Sequence, residues 1–238
     1  MDAAKRNEFI GRLSRALGRD NGACPTSVPD FDYSKGPQET MYSDLSRDQI
    51  ITMFKEECDR NGTKYVNTTP DKLAKTVIKT IEDWGNGQVI YPNVPEVEQY
   101  GLDKAFAADK SDARSYVQWD ASKGREANIM AAQDSAVGIT FAIGGLAETA
   151  SIVQPSTIDS GRAISLLPNT HIAILKTDSI MPRTTQAFEM LGAMQKEDPA
   201  NFPANVVLIS GPSNTADIEL IRVNGAHGPL QVTYILVD

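Results

Sequence analysis

Residues 63–91, TKYVNTTPDKLAKTVIKTIEDWGNGQVIY, contain the alternation that decides the fold. Residues 64–66 predict a short strand, and residues 89–91 predict the next one. Between them, Thr69 followed by Pro70 is the pattern of a helix N-cap and first turn, so we expect a helix that runs to residue 84. A strand, a helix and a second strand in this order are typical of parallel strands joined by a crossover helix.

The same alternation continues toward the C-terminal end of the chain. We predict helices over residues 124–133 and 182–195, and strands over residues 114–119, 136–143, 171–175, 206–209 and 230–237. Gly144 and Gly145 separate the strand at 136–143 from an apolar stretch at 149–153, which favours a hairpin-like return. The sequence therefore predicts an α/β fold with a mostly parallel sheet, helices on its faces and some antiparallel pairing.

The N-terminal region has a different composition. Apolar residues recur at helical spacing over residues 3–17, and a stretch rich in proline and glycine follows over residues 20–41. We expect an amphipathic helix and a linker over residues 1–41, and the α/β domain over residues 42–238. Ser46 and Gln49 form a capping-box pattern, which predicts a further helix up to residue 61.

Composition excludes several classes of protein. The chain has 238 residues with 31 acidic and 23 basic side chains, so its net charge is −8. This charge disfavours binding to nucleic acid or to an anionic membrane surface. We find neither a signal peptide nor an apolar run of about 18 residues, so we expect a cytoplasmic protein with no membrane segment.

The two cysteines, Cys24 and Cys58, are too few and too distant for an iron–sulfur cluster or a metal knuckle. No dinucleotide fingerprint or metal-ligand cluster is present either. We therefore expect no cofactor and no metal in the isolated chain, which would be colourless.

A loop rich in hydroxyl groups follows the strand at 206–209, where ligands of open α/β sheets commonly bind. A nearby arginine could hold a carboxylate or a phosphate. The predicted anion-binding residues are Ser210, Gly211, Ser213, Thr215, Asp217 and Arg162. The alternatives are a capped turn that starts a helix near Thr215 and, for Arg162, an ordinary salt bridge.

Two further residues are candidates for catalysis. Glu148 follows the glycine pair at 144–145, a position from which a glutamate can act as nucleophile or base, and His227 could be its acid–base partner. The competing interpretation is structural. A glutamate after a turn is most often solvated, and a lone histidine in a glycine-rich turn most often forms a structural hydrogen bond.

Four segments together resemble a known family. They are GLAET at 145–149, GRAISLLP at 161–168, ISGPSNTADIEL at 209–220 and GAHGP at 225–229, and RALGR at 15–19 is similar to the family's opening helix. In order and spacing this set resembles the lactate utilization protein C family, whose members contain a LUD domain. The resemblance is specific from about residue 137 onward.

The resemblance implies a three-layer αβα fold around a mainly parallel sheet, similar to the ribose-5-phosphate isomerase, glucosamine-6-phosphate deaminase and coenzyme A-transferase group. It also implies a role in oxidising L-lactate to pyruvate, as an accessory or substrate-handling subunit whose partners are iron–sulfur proteins. The expected ligand is a small anion such as lactate, phosphate or a coenzyme A-like molecule.

Two alternatives remain open. The chain could be an independent isomerase or acyl-transferase that uses Glu148 and His227. It could also be an interaction protein, with the N-terminal helix docking on a partner or on a second copy to form a homo-oligomer.

Overall fold

The structure is a computed structural model, and it describes residues 2–18, 36–38, 40–84, 86–215, 223–225 and 227–238. The chain forms two compact units, residues 1–39 and residues 40–238. In the first unit, helix α1 (Ala3–Ala16) begins where the Asp2 carboxylate accepts a hydrogen bond from the Ala4 amide. The predicted N-terminal helix is thus confirmed. The predicted linker falls largely outside the described residues, and the division between residues 41 and 42 stays a prediction.

The second unit alternates helices and strands. Its helices are α2 (Arg47–Asn61), α3 (Leu73–Asp83), α4 (Pro95–Gln99), α5 (Leu102–Ala108), α6 (Gly124–Gln133), α7 (Ala163–Leu166) and α8 (Thr184–Glu197). Its strands are β1 (Lys64–Thr68), β2 (Gly87–Tyr91), β3 (Arg114–Gln118), β4 (Val137–Phe141), β5 (Gly144–Leu146), β6 (Ser151–Ser156), β7 (Thr170–Lys176), β8 (Ile180–Met181), β9 (Asn205–Ile209), β10 (Asn214–Thr215), β11 (Val223–Asn224) and β12 (Gln231–Val237).

A six-stranded sheet forms the centre of the molecule. Its strand order is β1-β12-β7-β4-β2-β3, and every neighbouring pair is parallel. The predicted fold class, an α/β fold around a mainly parallel sheet, is therefore confirmed. Strand β12 lies between β1 and β7 and is buried from Val232 to Val237, as its continuous apolar sequence predicts.

A second sheet, which the sequence analysis did not predict, has the order β8-β5-β6-β9. The predicted hairpin return is confirmed, since β5 and β6 are antiparallel and Gly145 lies opposite Ile152. Strand β9 was expected in the parallel sheet, and this expectation was wrong: β9 pairs antiparallel with β6. The four apolar residues of β9 do not tell which sheet it joins.

Alternating side chains on the central strands build two cores. On one face, Ile172 and Ile174 of β7 pack with α3, α4 and α5. On the other face, Ala173 and Leu175 of the same strand pack with α2 and with the β5–β6 turn. Helix α8 covers the second sheet from outside through a further apolar cluster that includes Leu191. The three layers are therefore the helices on one face, the central sheet itself, and the helices together with the second sheet on the other face.

The segment between β2 and β3 also differs from expectation. It was predicted only as a proline-containing connection, whereas it folds into α4 and α5, whose Val97, Leu102 and Phe106 are buried. Both helices are short, which leaves too few turns for helical periodicity to appear in the sequence. Within the described ranges, no helix is long and apolar enough to cross a membrane.

The hydroxyl group of Tyr234 joins the two sheets. Tyr234 lies in β12, is fully buried, and its oxygen lies 2.9 Å from the Ile209 carbonyl and 3.1 Å from the Ala150 carbonyl. The same oxygen accepts a hydrogen bond of 3.2 Å from the Gly211 amide. Burial raises the pKa of Tyr234, so the phenol stays protonated and can donate. One side chain of the central sheet thus holds the β5–β6 turn and the end of β9.

We predict that Tyr234→Phe lowers the free energy of unfolding by about 1–3 kcal/mol, because the Gly211 amide and a carbonyl lose their partner. Urea unfolding followed by circular dichroism would measure the change. Tyr65→Phe is the matched control, since the Tyr65 hydroxyl makes no hydrogen bond with any residue that the structure describes. Equal stability of the two variants would contradict the role of Tyr234.

A second prediction concerns His171, which is fully buried on β7 with its Nε2 atom 2.8 Å from the Thr140 hydroxyl. Burial lowers the pKa of His171 to about 4, below its ordinary value of 6.5. The unfolded chain therefore binds a proton at a higher pH than the folded chain does, and stability falls as the pH drops from 6.5 toward 4.

In His171→Gln, we expect the loss of stability between pH 7 and pH 4.5 to be about 2–3 kcal/mol smaller than in the wild type. Urea unfolding at the two pH values would measure it. An unchanged pH dependence in His171→Gln would show that other groups cause the acid sensitivity.

Candidate functional site

The turn that carries Glu148 is packed tightly against the central sheet. A Cβ atom on Gly144 would lie 2.6 Å from the Met181 side chain, and one on Gly145 would lie 3.0 Å from Leu175. The glycine pair therefore lets the hairpin approach its neighbours closely. Ala150 ends the turn with a φ angle of 46°, a conformation that a residue with a Cβ atom seldom adopts.

The carboxylate of Glu148 has partners at the beginning of α8. One oxygen accepts a hydrogen bond of 2.8 Å from Arg183 Nε, and the other accepts one of 3.3 Å from the Thr184 amide. The side chains of Glu148 and Arg183 are only 17% and 21% exposed, so solvent screens the pair less than it screens a surface pair. The carboxylate thus stabilises the first turn of α8, where a negative charge is favourable.

A row of hydroxyl groups connects this turn with the Ser210 loop. Ser151 Oγ lies 2.7 Å from Thr149 Oγ1 and 2.5 Å from Ser210 Oγ. Ser151 is buried, whereas Thr149 and Ser210 are exposed. The structure therefore brings the first residue of the predicted anion-binding loop next to the turn that carries Glu148.

Two backbone amides of the loop are already engaged in the fold. The Gly211 amide donates to Tyr234, and the Ser213 amide donates a 2.9 Å hydrogen bond to the Pro229 carbonyl. Gly211 has a φ angle of 79°, and a Cβ atom there would lie 2.5 Å from Thr63 Oγ1. Glycine is thus required here by the close approach of Thr63. Because the Gly211 and Ser213 amides already have partners, we expect an anion at this part of the loop to bind to the hydroxyl groups.

His227 lies at the other end of the same loop. Its amide donates a 3.3 Å hydrogen bond to Ser213 Oγ, and its side chain is exposed. Because His227 shortly precedes β12, it lies at the amino end of the parallel strands. Thr215 belongs to β10, which pairs with β11. The alternative of a helix starting near Thr215 falls on residues outside the described ones and stays a prediction. Asp217 lies outside the described residues.

The structure thus connects Ser213 with His227, and Ser210 with the Glu148 turn. It does not join the two candidate catalytic groups directly. Across the residues that the structure describes, the polar partners of the Glu148 carboxylate are Arg183 and Thr184, and no hydrogen bond or ion pair joins this carboxylate to His227.

The carboxyl ends of the central strands hold a separate cleft. The chain leaves β2 toward β3 but leaves β4 toward β7, in the opposite direction along the sheet. Ligands of open α/β sheets bind at such a switch point. A cavity of about 650 Å³ is present here, lined by the segment after β2 around Asn93, by the connection at 156–162 and by the segment before β9.

Arg162 lines this cavity, and its side chain is exposed. Among the described residues, no carboxylate lies within ion-pair distance of its guanidinium group. Of the predicted anion-binding residues, Arg162 alone is thus placed by the described structure at the edge of the sheet where ligands usually bind. The turn that holds His227 adjoins the other end of α7, because a Cβ atom on Gly228 would lie 3.7 Å from the Leu166 side chain.

Trp119 forms the neighbouring wall, and its ring is held in place. The indole Nε1 donates a 2.9 Å hydrogen bond to the Ile158 carbonyl, and a Cβ atom on Gly161 would lie 2.1 Å from the ring. Sequence reasoning missed Trp119 and Asn93 as site residues. The available signal was their position at the carboxyl ends of predicted strands: Trp119 is the last residue of the one at 114–119, and Asn93 lies two residues after the one at 89–91. Parallel strands bring their carboxyl ends to one edge.

Comparison with known proteins now identifies the family. Residues 51–237 match the family model of the LUD domain. The chain belongs to the LUD domain family. The predicted resemblance is thereby confirmed.

Relatives of this LUD chain are similar over almost their whole length. Lactate utilization protein C of Macrococcus caseolyticus is 37% identical over 98% of this chain and 96% of its own length. The proteins of the same name from Bacillus subtilis and Geobacillus thermodenitrificans are each 36% identical, again over 98% of this chain.

A solved structure has the same fold. The crystal structure of a DUF162 family protein from Deinococcus radiodurans superposes with a TM-score of 0.57 and 18% sequence identity. The match covers 82% of this LUD chain and 99% of that chain.

The thiol chemistry of the described part is limited. Cys58 is buried on α2, and burial raises the pKa of its thiol to about 12, so the thiol stays protonated at neutral pH. Within the described ranges, no group of three or more His, Cys, Asp or Glu side chains could hold a metal ion.

We predict that Glu148→Ala lowers the free energy of unfolding by about 1–3 kcal/mol, because Arg183 loses a poorly screened partner and α8 loses its cap. Thermal and urea unfolding would measure the change. The control is Glu56→Ala, which removes a surface partner of Arg60 and should change stability by less than about 0.5 kcal/mol. Unchanged stability in Glu148→Ala would instead favour a carboxylate free for catalysis.

Proposed function

We propose that this chain serves lactate utilization as a substrate-handling subunit, working with iron–sulfur proteins that oxidise L-lactate to pyruvate. The observation that carries the proposal is the similarity to relatives named lactate utilization protein C, at 36–37% identity over nearly full length. Similarity over whole chains supports a shared role more strongly than a shared fold does, since one fold hosts many activities.

The electrons released by lactate oxidation decide which step we propose for this chain and which for its partner proteins. Oxidation of lactate to pyruvate releases two electrons and two protons, and an iron–sulfur cluster that accepts electrons usually needs four thiolate ligands. This chain has two cysteines, Cys24 and Cys58, and the thiol of Cys58 is buried and protonated. We therefore assign the electron-accepting step to the partner proteins and the binding of a small anion to this chain.

Arg162 is the side chain that we propose to hold the anion. A guanidinium group binds a carboxylate through two parallel hydrogen bonds, a geometry that lysine does not offer. Its position in the 650 Å³ cavity at the carboxyl end of β2 supports this role. The hydroxyl groups of Ser210, Ser213 and Thr215, together with Gly211 and Asp217, stay a second proposed anion-binding set.

The alternative is an independent isomerase or acyl-transferase that uses Glu148 and His227. Its support is the position of Glu148 directly after a glycine pair, within a turn that also aligns three hydroxyl groups. A nucleophilic or basic role would require the Glu148 carboxylate to leave Arg183 and Thr184. We therefore place this alternative second.

We predict that lactate-dependent dye reduction by the reconstituted assembly requires this chain and falls at least about 10-fold in Arg162→Gln, because the carboxylate loses its charged partner. The measurement combines the purified chain with its iron–sulfur partners. Arg60→Gln, which changes an exposed arginine on α2, is the matched control and should keep full activity. Undiminished dye reduction by the partners alone would contradict the proposed role.

A further inference from the structure

A second cavity, of about 320 Å³, adjoins Arg162 on the side facing α6 and α7. Most of its wall is apolar and is formed by Trp119, Ile129, Leu166 and Leu167. Leu166 and Leu167 are 41% and 40% exposed, so apolar surface is left accessible to solvent around a concave space. Ligand sites in proteins combine such an apolar wall with a few polar groups.

The polar groups of this cavity carry positive charge. Arg162 lies on the boundary, since it lines both this cavity and the larger one. Arg125 of α6 also lines the smaller cavity. Its partner is the adjacent Glu126, and these two side chains are 80% and 84% exposed, so that the ion pair is strongly screened by water. The wall therefore presents two guanidinium groups that an anion can approach.

The aromatic part of the wall is preorganised. The hydrogen bond from Trp119 to the Ile158 carbonyl fixes one edge of the indole, and Gly161 leaves room for the ring where any larger residue would clash with it. A side chain that is already ordered loses little conformational entropy when a ligand packs against it.

We propose that this cavity binds a carboxylate that bears an aromatic or large apolar group, with the carboxylate at Arg162 and the apolar group against Trp119, Leu166 and Leu167. The inference rests on the proposed anion-binding role of Arg162 and adds to that site a preference for carboxylic acids whose apolar group is larger than the methyl group of lactate. Lactate has only a methyl group to bury, which would leave most of the apolar wall in contact with water.

The experiment is calorimetric titration of the full chain with lactate and with 3-phenyllactate. We expect 3-phenyllactate to bind at least about 10-fold more tightly, because the phenyl ring buries additional apolar area. Trp119→Leu should weaken binding of 3-phenyllactate and leave that of lactate unchanged. Arg162→Gln should weaken both by about 10-fold or more, and Arg60→Gln should change neither.

Fluorescence gives an independent readout, since the chain has two tryptophans, Trp84 and Trp119. In a Trp84→Phe background, 3-phenyllactate should change the emission of Trp119 in a saturable manner, with the same affinity as in calorimetry.

Equal affinities for the two acids, or a preference that survives Trp119→Leu, would overturn the inference. If lactate binding still required Arg162, that result would leave the proposed function intact. Absence of saturable binding for both acids would also overturn the inference, while dye reduction by the assembly tests the proposed function separately.

Discussion

The phenol of Tyr234 is the contact on which the arrangement of the two sheets depends. Among the described residues, the central parallel sheet and the smaller mixed sheet have no strand pairing with each other. Apolar packing between them is non-directional and would tolerate sliding. The hydroxyl group, shared between the end of β9 and the β5–β6 turn, sets one registration, because a shift would leave a buried amide or carbonyl without a partner. The positions of Glu148 and of the Ser210 loop follow from that registration.

Local signals in the sequence predicted most of the central sheet and several of its helices. The capping box at Ser46 and the Pro70 turn mark helix starts whose causes lie within a few residues, and both are confirmed. The apolar residues of β12 predicted a buried strand in the same way. The second sheet could not be predicted, because β9 is equally suited to either sheet and only the distant partner β6 decides between them. Helices α4 and α5 were missed because they are too short to show a period.

For the candidate site, residue chemistry was easier to predict than location. Hydroxyl groups, glycines and an arginine were all recognised from the sequence, but their positions depend on which sheet β9 joins. Once β9 joins the second sheet, the Ser210 loop turns toward the amino ends of the strands and meets His227 there. Arg162 stays at the carboxyl ends, beside Trp119 and Asn93. The long-range strand order, rather than any motif, thus decides where these residues lie.

The position of β12 in the middle of the sheet has a consequence for biosynthesis. Lys64 of its neighbour β1 pairs with Thr233 of β12. Almost the whole α/β body lies between these two residues in the chain, so β1 is synthesised long before β12. While the ribosome elongates the chain, β1 and β7 have no strand between them, and the apolar edges that β12 will cover stay open. A nascent chain with unpaired strand edges is prone to aggregate, and these two edges are covered only once β12 has paired with β1 and β7.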